Sequence, residues 1–566
     1  MHATKKNSIL CILLVLVFIS FTSININASE KAEIGGFFEA DIRKILSSMS
    51  IEEKIGQILI FGFKEEDLDD DYRSWLSSGR VGNIKIFLRN VESREQLKKL
   101  TILIKYHTNL SKLGIPPFIA TDMEGGLVNH IRYDDLPLAP SAALIGASYN
   151  CTNSILASRL IALTLREAGI NMNFAPCIDV LTNPENRVIS TRAYSSDPLE
   201  VYFMARAFIR EHERLGLMAV AKHFPGHGMT DFDTHTSSLS VAIDKEELEE
   251  IHLFPYKYLI KENLLGGCMV SHVIYSDLDS FYPASLSRKI VSGLLREKLG
   301  FDGVIITDDL EMDASEDFTG DIVKSFILSF RSGADLILVS HTKEKQQKLL
   351  ERAPQLFEKG ILSEELLNQK VLRILKAKQR YLSRFYNSHV NEDEDQTLAA
   401  STSRELQTAA KEGIVQISSI LDMPFVDNLN EYLGSEFKGV FLAPSSRFVE
   451  LADEYLDAWD IIYIRYRPGK RENERKMQMH REKLKNYDFV MIGMVNQRQA
   501  EWAQLCVDEE IPFGILSMQN PFFALPFTDD AHFIATCFSP YSPEVEALFE
   551  CVFHTGEFGG TFPYQQ

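Results

Sequence analysis

At 566 residues, 45% hydrophobic and 24% charged, the chain has an ordinary globular composition and room for two or three domains. Its apolar content and the lack of a short repeat exclude intrinsic disorder and fibrous structure. A formal charge of −20 repels phosphate backbones and anionic headgroups, so no nucleic-acid partner is expected.

The chain opens with Lys5 and Lys6, an apolar stretch over 9–21 and the small polar sequence Asn25-Ile26-Asn27-Ala28-Ser29. This order predicts a secretory leader over 1–28, cleaved near Ala28. Its apolar core is on the order of a dozen residues, shorter than the ~20 that cross a bilayer. The mature chain is therefore expected to be exported, periplasmic or secreted, without a membrane span. Cys151, Cys177, Cys268, Cys506, Cys537 and Cys551 are dispersed and show no metal-ligand spacing, so no metal or other cofactor is expected. Cys177 and Cys268 lie in apolar runs that suit a buried thiol.

Short apolar runs then alternate with stretches of helical period. Eight strands are predicted, at 57–62, 83–87, 117–122, 172–175, 218–223, 267–272, 303–308 and 335–340, with helices such as 93–107 and 152–168 between them. Non-alternating apolar strands separated by helices indicate a parallel sheet buried on both faces. Eight such units predict an α/β fold, a (β/α)8 TIM-type barrel over 29–387. The polar, acidic segment after it reads as a linker over 388–399. Five further strands, at 439–442, 461–464, 489–494, 512–517 and 532–536, predict a second, smaller α/β domain over 400–566. The basic run near 465–485 interleaves acids and reads as a solvated helix of that domain.

In such a barrel, reacting groups collect where strands end at the C-terminal face. The third strand ends in Asp122, the fifth in Lys222-His223 and the seventh in Thr307-Asp308-Asp309. Unpaired charge is costly inside an apolar strand, so these residues point to a site. The loop after the fifth strand, FPGHGMTDFDTH, places Asp233 two residues before His235. On locally extended backbone both side chains face one way and can hydrogen-bond. A carboxylate on one imidazole nitrogen fixes the tautomer and leaves the other nitrogen to give or take a proton. Asp308, aimed into the barrel mouth by a rigid strand, can attack an anomeric carbon as retaining glycosidases do. Such enzymes usually pair two carboxyl groups about 5–5.5 Å apart; here the Asp233–His235 dyad replaces the second. Asp309, the next residue on the strand, should point away.

Five motifs carry a family resemblance: TDMEGG at 121–126, NFAP at 173–176, VISTRAYSSDP at 188–198, KHFPGHGMTDFDTH at 222–235 and LGFDGVIITDDLEM at 299–312. The chain resembles family 3 glycoside hydrolases, and within them the bacterial β-N-acetylglucosaminidase (β-hexosaminidase) branch. The resemblance covers about 45–385, and 537–563 is similar to the family's C-terminal ending. It implies an exo-acting, retaining enzyme that takes terminal N-acetylglucosamine from peptidoglycan fragments or chitooligosaccharides. Asp308 would be the nucleophile, His235 the general acid/base and Asp233 its orienting partner. Asp122, Arg192, Lys222 and His223 match positions that hold the terminal sugar's hydroxyls. The sequence departs from the family at His130, where an arginine is usual, with Arg132 two residues on. It departs again at Leu239, where the dyad loop usually has proline. Alternatives left open are a family β-glucosidase or β-xylosidase, a glycoside phosphorylase, and a non-catalytic sugar-binding wall protein.

Overall fold

The computed structural model describes residues 37–133, 138–230, 240–312, 318–387, 392–419, 438–456, 459–555 and 557–564. The leader read over 1–28 lies outside the described residues. None of the described helices is long and apolar enough to cross a membrane.

The barrel is built from β1 (Leu59–Phe61), β2 (Asn83–Lys85), β3 (Phe118–Thr121), β4 (Met172–Asn173), β5 (Met218–Phe224), β6 (Gly267–Val270), β7 (Val304–Thr307) and β8 (Ile337–Val339). All eight fall within or across the ranges expected from apolar periodicity. Each ladder between neighbours is parallel, in the order β7-β6-β5-β4-β3-β2-β1-β8. The ring closes between β7 and β8 through a parallel bridge at Ile306–Leu336 and amide donation from Asp335 to the Ile305 carbonyl. Every strand residue is buried, as required when helices cover the outside and side chains fill the interior.

The closure is held from below by one carboxylate. Asp335, fully buried just before β8, accepts from Arg296 (2.7 Å), Arg373 (2.8 Å) and the Ile305 amide (3.0 Å). The expected helices are present as Arg94–Asn109, N-capped by Ser93, and Cys151–Glu167, N-capped by Asn150.

A second sheet follows, with β9 (Val415–Ser419), β10 (Gly439–Ala443), β11 (Asp460–Tyr463), β12 (Phe489–Met494), β13 (Phe513–Ser517) and β14 (Phe533–Thr536) in the order β9-β14-β13-β12-β10-β11. Five strands are parallel and match the expected runs. The sixth, β9, was not expected: it pairs antiparallel with β14 at the sheet edge, through a register shift at Gln416/Ser418. The run near 465–485 forms the helix Lys470–Leu484, of which only Asn473 and Leu484 are buried.

Two further features were not legible. The acidic segment read as a linker to 399 is helical from Glu392, in a helix extending to Ala410. Its buried Ala399, Thr402, Ser403, Leu406 and Ala410 recur at helical spacing. Moreover, the core of the second sheet continues into the barrel's upper loops, since Leu144, Cys177, Leu181, Ile189 and Ala193 cluster with Phe441, Met491, Phe538 and Tyr564. Among the described residues the six cysteines are unpaired, and all but Cys151 are buried.

Replacing Asp335 with alanine would leave two arginines facing a vacated acceptor and an amide unpaired. The unfolding midpoint in urea should fall by an amount equivalent to about 3 kcal/mol; an unchanged midpoint would refute the closing role assigned to it.

Candidate active site

The C-terminal ends of β2, β3 and β5 bring together a buried ionic cage. Asp122, directly after β3, accepts from Lys222 Nζ of β5 at 2.6 Å and pairs with Lys85 Nζ of β2 at 2.7 Å. Glu124, two residues on, pairs with Lys222 at 2.6 Å and is held by the Arg192 fork, Nε to Oε2 at 2.9 Å and Nη2 to Oε1 at 2.8 Å. Planar bidentate geometry of this kind fixes orientation as well as charge. All five groups are largely buried, and they persist as ions because each is paired. Burial alone would raise the Asp122 carboxyl, but Lys222 and Lys85 hold it well below the usual range. Glu124 likewise has burial outweighed by Arg192 and Lys222 and is held down to about 2.

His223 joins the cage on its other side. Its Nδ1–H donates to Asp179 Oδ2 at 2.7 Å, which leaves Nε2 to accept from Arg192 Nη2 at 3.2 Å. Asp179, fully buried, also accepts from the His223 and His227 amides and from the Cys177 thiol. These donors are protonated groups aimed at one carboxylate, so the Cys177–Asp179–His223 cluster is satisfied by hydrogen bonds within the protein.

The loop that returns from β3 is shaped by glycine. Gly125 has φ +97°, and a Cβ there would lie 2.3 Å from the Pro140 carbonyl oxygen. The turn brings His130 back so that its amide donates to the Asp122 carbonyl and its Nδ1 lies 3.7 Å from Oδ2. Burial drives the His130 imidazole down to about 4, against the pull of Asp122, so at neutral pH it is uncharged. Where the family usually has a cation, this chain has a neutral ring packed 5.2 Å from Phe87. Arg132 faces elsewhere: it donates to the Asn129 carbonyl and its guanidinium lies 5.4 Å from the Tyr541 ring of the second unit.

Across the mouth, Phe87 also packs against His341, whose Nε2 is 3.2 Å from Asp309 Oδ2. Asp309 is buried, accepts from the Glu311 amide, and has its carbonyl held by His272 Nε2–H at 2.8 Å. Asp308 differs in exposure and in charge partners. It is half-buried, its amide donates to the Val270 carbonyl of β6, and its Oδ1 accepts the Asp309 amide at 2.8 Å. Among the described residues no cation pairs with it. Adjacent residues thus divide the work, one carboxylate tied into the wall and its neighbour left available.

Asp122, Arg192, Lys222 and His223 are therefore drawn into one cluster, while Asp233 and His235 lie outside the described residues. The segment carrying them leaves from Thr230, whose carbonyl accepts from Asn183 Nδ2 and whose hydroxyl accepts from Asn186 Nδ2. It returns at Ser240–Val241, paired with Ile274–Tyr275. Lys85, Glu124 and Asp179 were not singled out from sequence. A lysine inside the apolar run NIKIF and an aspartate just past NFAP were the signals available.

Residues 50–377, more than half of the chain, match the model of the glycosyl hydrolase family 3 N-terminal domain. The chain belongs to glycosyl hydrolase family 3. It is 33% identical over 319 residues to beta-hexosaminidase A of Pseudoalteromonas piscicida, a match covering 53% of this chain and about half (53%) of that relative. It is 35% identical over 282 residues to a beta-hexosaminidase of Bordetella avium, covering 48% of this chain and 77% of that one. A family 3 beta-N-acetylglucosaminidase of a Paenibacillus species superposes with a TM-score of 0.80 at 26% identity, over 92% of this chain and 99% of that one.

Groups of the site set the sign of the pH response. Burial lowers His130 and His227 from 6.5 to about 4, so the folded state loses stability as pH falls from 6.5 towards 4. Glu124, lowered from 4.5 to about 2, adds a further loss as pH falls below 4.5. His130→Asn should shrink the first loss by up to about 3 kcal/mol in melting curves between pH 7 and 4. A difference between variant and wild type that does not change with pH would contradict the assignment.

Proposed function

We propose that this protein is an exported, exo-acting, retaining β-N-acetylglucosaminidase. Its substrates would be peptidoglycan fragments or chitooligosaccharides ending in N-acetylglucosamine. The observation that carries the reading is the Asp308 carboxylate, without a cationic partner among the described residues, at the end of a strand in a barrel whose cage already holds its charges in place. In the first step Asp308 attacks the anomeric carbon as the bond to the leaving oxygen breaks, and His235 donates its proton to that oxygen. In the second, His235 takes a proton from water, the water oxygen bonds to the anomeric carbon, and Asp308 leaves as a carboxylate. Asp233 keeps the imidazole in the tautomer that can do both. The cage gives the sugar hydroxyls donors and acceptors that need no rearrangement on binding.

The choice of an N-acetyl sugar is supported by the Asp-x-His spacing and by the relatives' names. The cage alone would serve any hexose. The sequence of residues 1–28 supports export.

The test is turnover of aryl N-acetylglucosaminide, glucoside and xyloside. Wild type should prefer the N-acetyl substrate, and adding phosphate should leave free sugar as the product. Asp308→Asn should lower kcat by about 10³-fold or more, and His235→Ala by about 10²–10⁴-fold. Preference for the glucoside, formation of sugar 1-phosphate, or full activity in Asp308→Asn would each defeat the reading.

A further inference from the structure

Arg192 reaches Glu124 and His223 from a short loop that has little regular structure of its own. Ser190–Arg192 is a single helical turn, entered from Ser190 at φ +42°, in the left-handed region that a serine rarely occupies. Such a residue persists only when its surroundings over-determine it. From inside the barrel unit, Asn186 supports the turn, its Oδ1 accepting the Val188 and Ile189 amides and its carbonyl accepting the Ser190 amide.

The remaining support comes from the far end of the chain. Tyr564 O–H donates to the Ser190 carbonyl (3.2 Å) and the Ala193 carbonyl (3.0 Å), which flank Arg192 on either side. The preceding Pro563 carbonyl accepts from Ser195 Oγ at 2.8 Å and from the Ser196 amide at 3.0 Å. Tyr564 is 5% exposed, and its ring is held by Phe522, Phe562 and Phe538 at centroid distances of 5.4, 5.6 and 6.3 Å. An aromatic cluster rooted in the second unit thus extends one hydroxyl across the junction onto the turn that carries the guanidinium.

We infer that Tyr564 is a positioning residue, through which the second unit sets the aim of Arg192 at the terminal sugar. The proposal rests on the glycosidase reading above for what Arg192 does, but not for the brace itself. The same loop also holds the stretch of chain before Asp233 and His235, because Asn186 Nδ2 donates to the His227 carbonyl at 2.6 Å and to Thr230 Oγ1 at 3.0 Å. The second unit is then part of the binding apparatus, although no residue of it need touch the sugar.

Tyr564→Phe keeps the ring and its neighbours and removes only the hydroxyl. Because hydroxyl contacts to the sugar persist from ground state to transition state, their loosening should raise KM. The expected change is about five- to tenfold, with kcat within about twofold, from the usual worth of one or two hydrogen bonds. Trp502→Phe, in the outer helix of the second unit, is the control for general destabilisation: it should lower the melting temperature without moving KM. Amide hydrogen exchange over 186–196 should quicken in Tyr564→Phe, with β3 and β5 unchanged, whether or not the enzyme turns over this substrate. An unchanged KM in an active enzyme, unchanged exchange in the loop, or an equal KM rise in Trp502→Phe would overturn the proposal. Faster exchange in a protein whose wild type lacks N-acetylglucosaminidase activity would uphold the brace and sink the functional reading instead.

Discussion

The site depends on two carboxylates sharing three cations inside an apolar barrel. Asp122 and Glu124 are each 8% exposed, and Lys222, between them, is 2% exposed. Such ions tolerate the low-dielectric interior only while every charge has a partner, so the pairs fix one another's positions. Lys85 and Arg192 close the two ends of the row. The same pairing that offsets desolvation supplies a rigid array of donors and acceptors, which is what a ring studded with hydroxyls requires. On the function proposed above, folding and recognition draw on one set of contacts.

The barrel's architecture makes this possible by bringing strand ends from distant parts of the sequence to one rim. Lys85, Asp122, Lys222 and Asp308 come from four different strands, yet each lies at or near the C-terminal end of its strand. Phe87 bridges the two sides of that rim, packing against His130 near the cage and against His341 near Asp309. Asp309 and His272 tie the end of β7 to the wall, and Asp308 beside them is half-buried.

Much of this was legible in the residues. Eight apolar runs without alternation, separated by helical stretches, read as strands covered on both faces, and their ionisable ends stood out against that background. Lys222 and Asp122 were conspicuous for that reason. Asp179 and Glu124 were not, because their importance lies in partners far away in the chain, His223 and Arg192. The edge strand Val415–Ser419 carries only two apolar residues, Val415 and Ile417, and pairs in the opposite sense to its neighbours, so local pattern gave no signal for it. The acidic run before Gln396 resembled a linker, while the helical spacing of Ala399, Thr402 and Leu406 that binds its helix to the core begins only after the charges end. Tyr564, near the end of the chain, acquires its role solely from the fold.

Covalent trapping tests the central claim most directly. Incubation with a slow, fluorinated N-acetylglucosamine donor, followed by proteolysis and mass spectrometry, should place one sugar on the peptide containing Thr307-Asp308-Asp309, with fragmentation locating it on Asp308. A sugar found on Asp309 or on any other residue, or turnover of the donor with no adduct at all, would contradict the account.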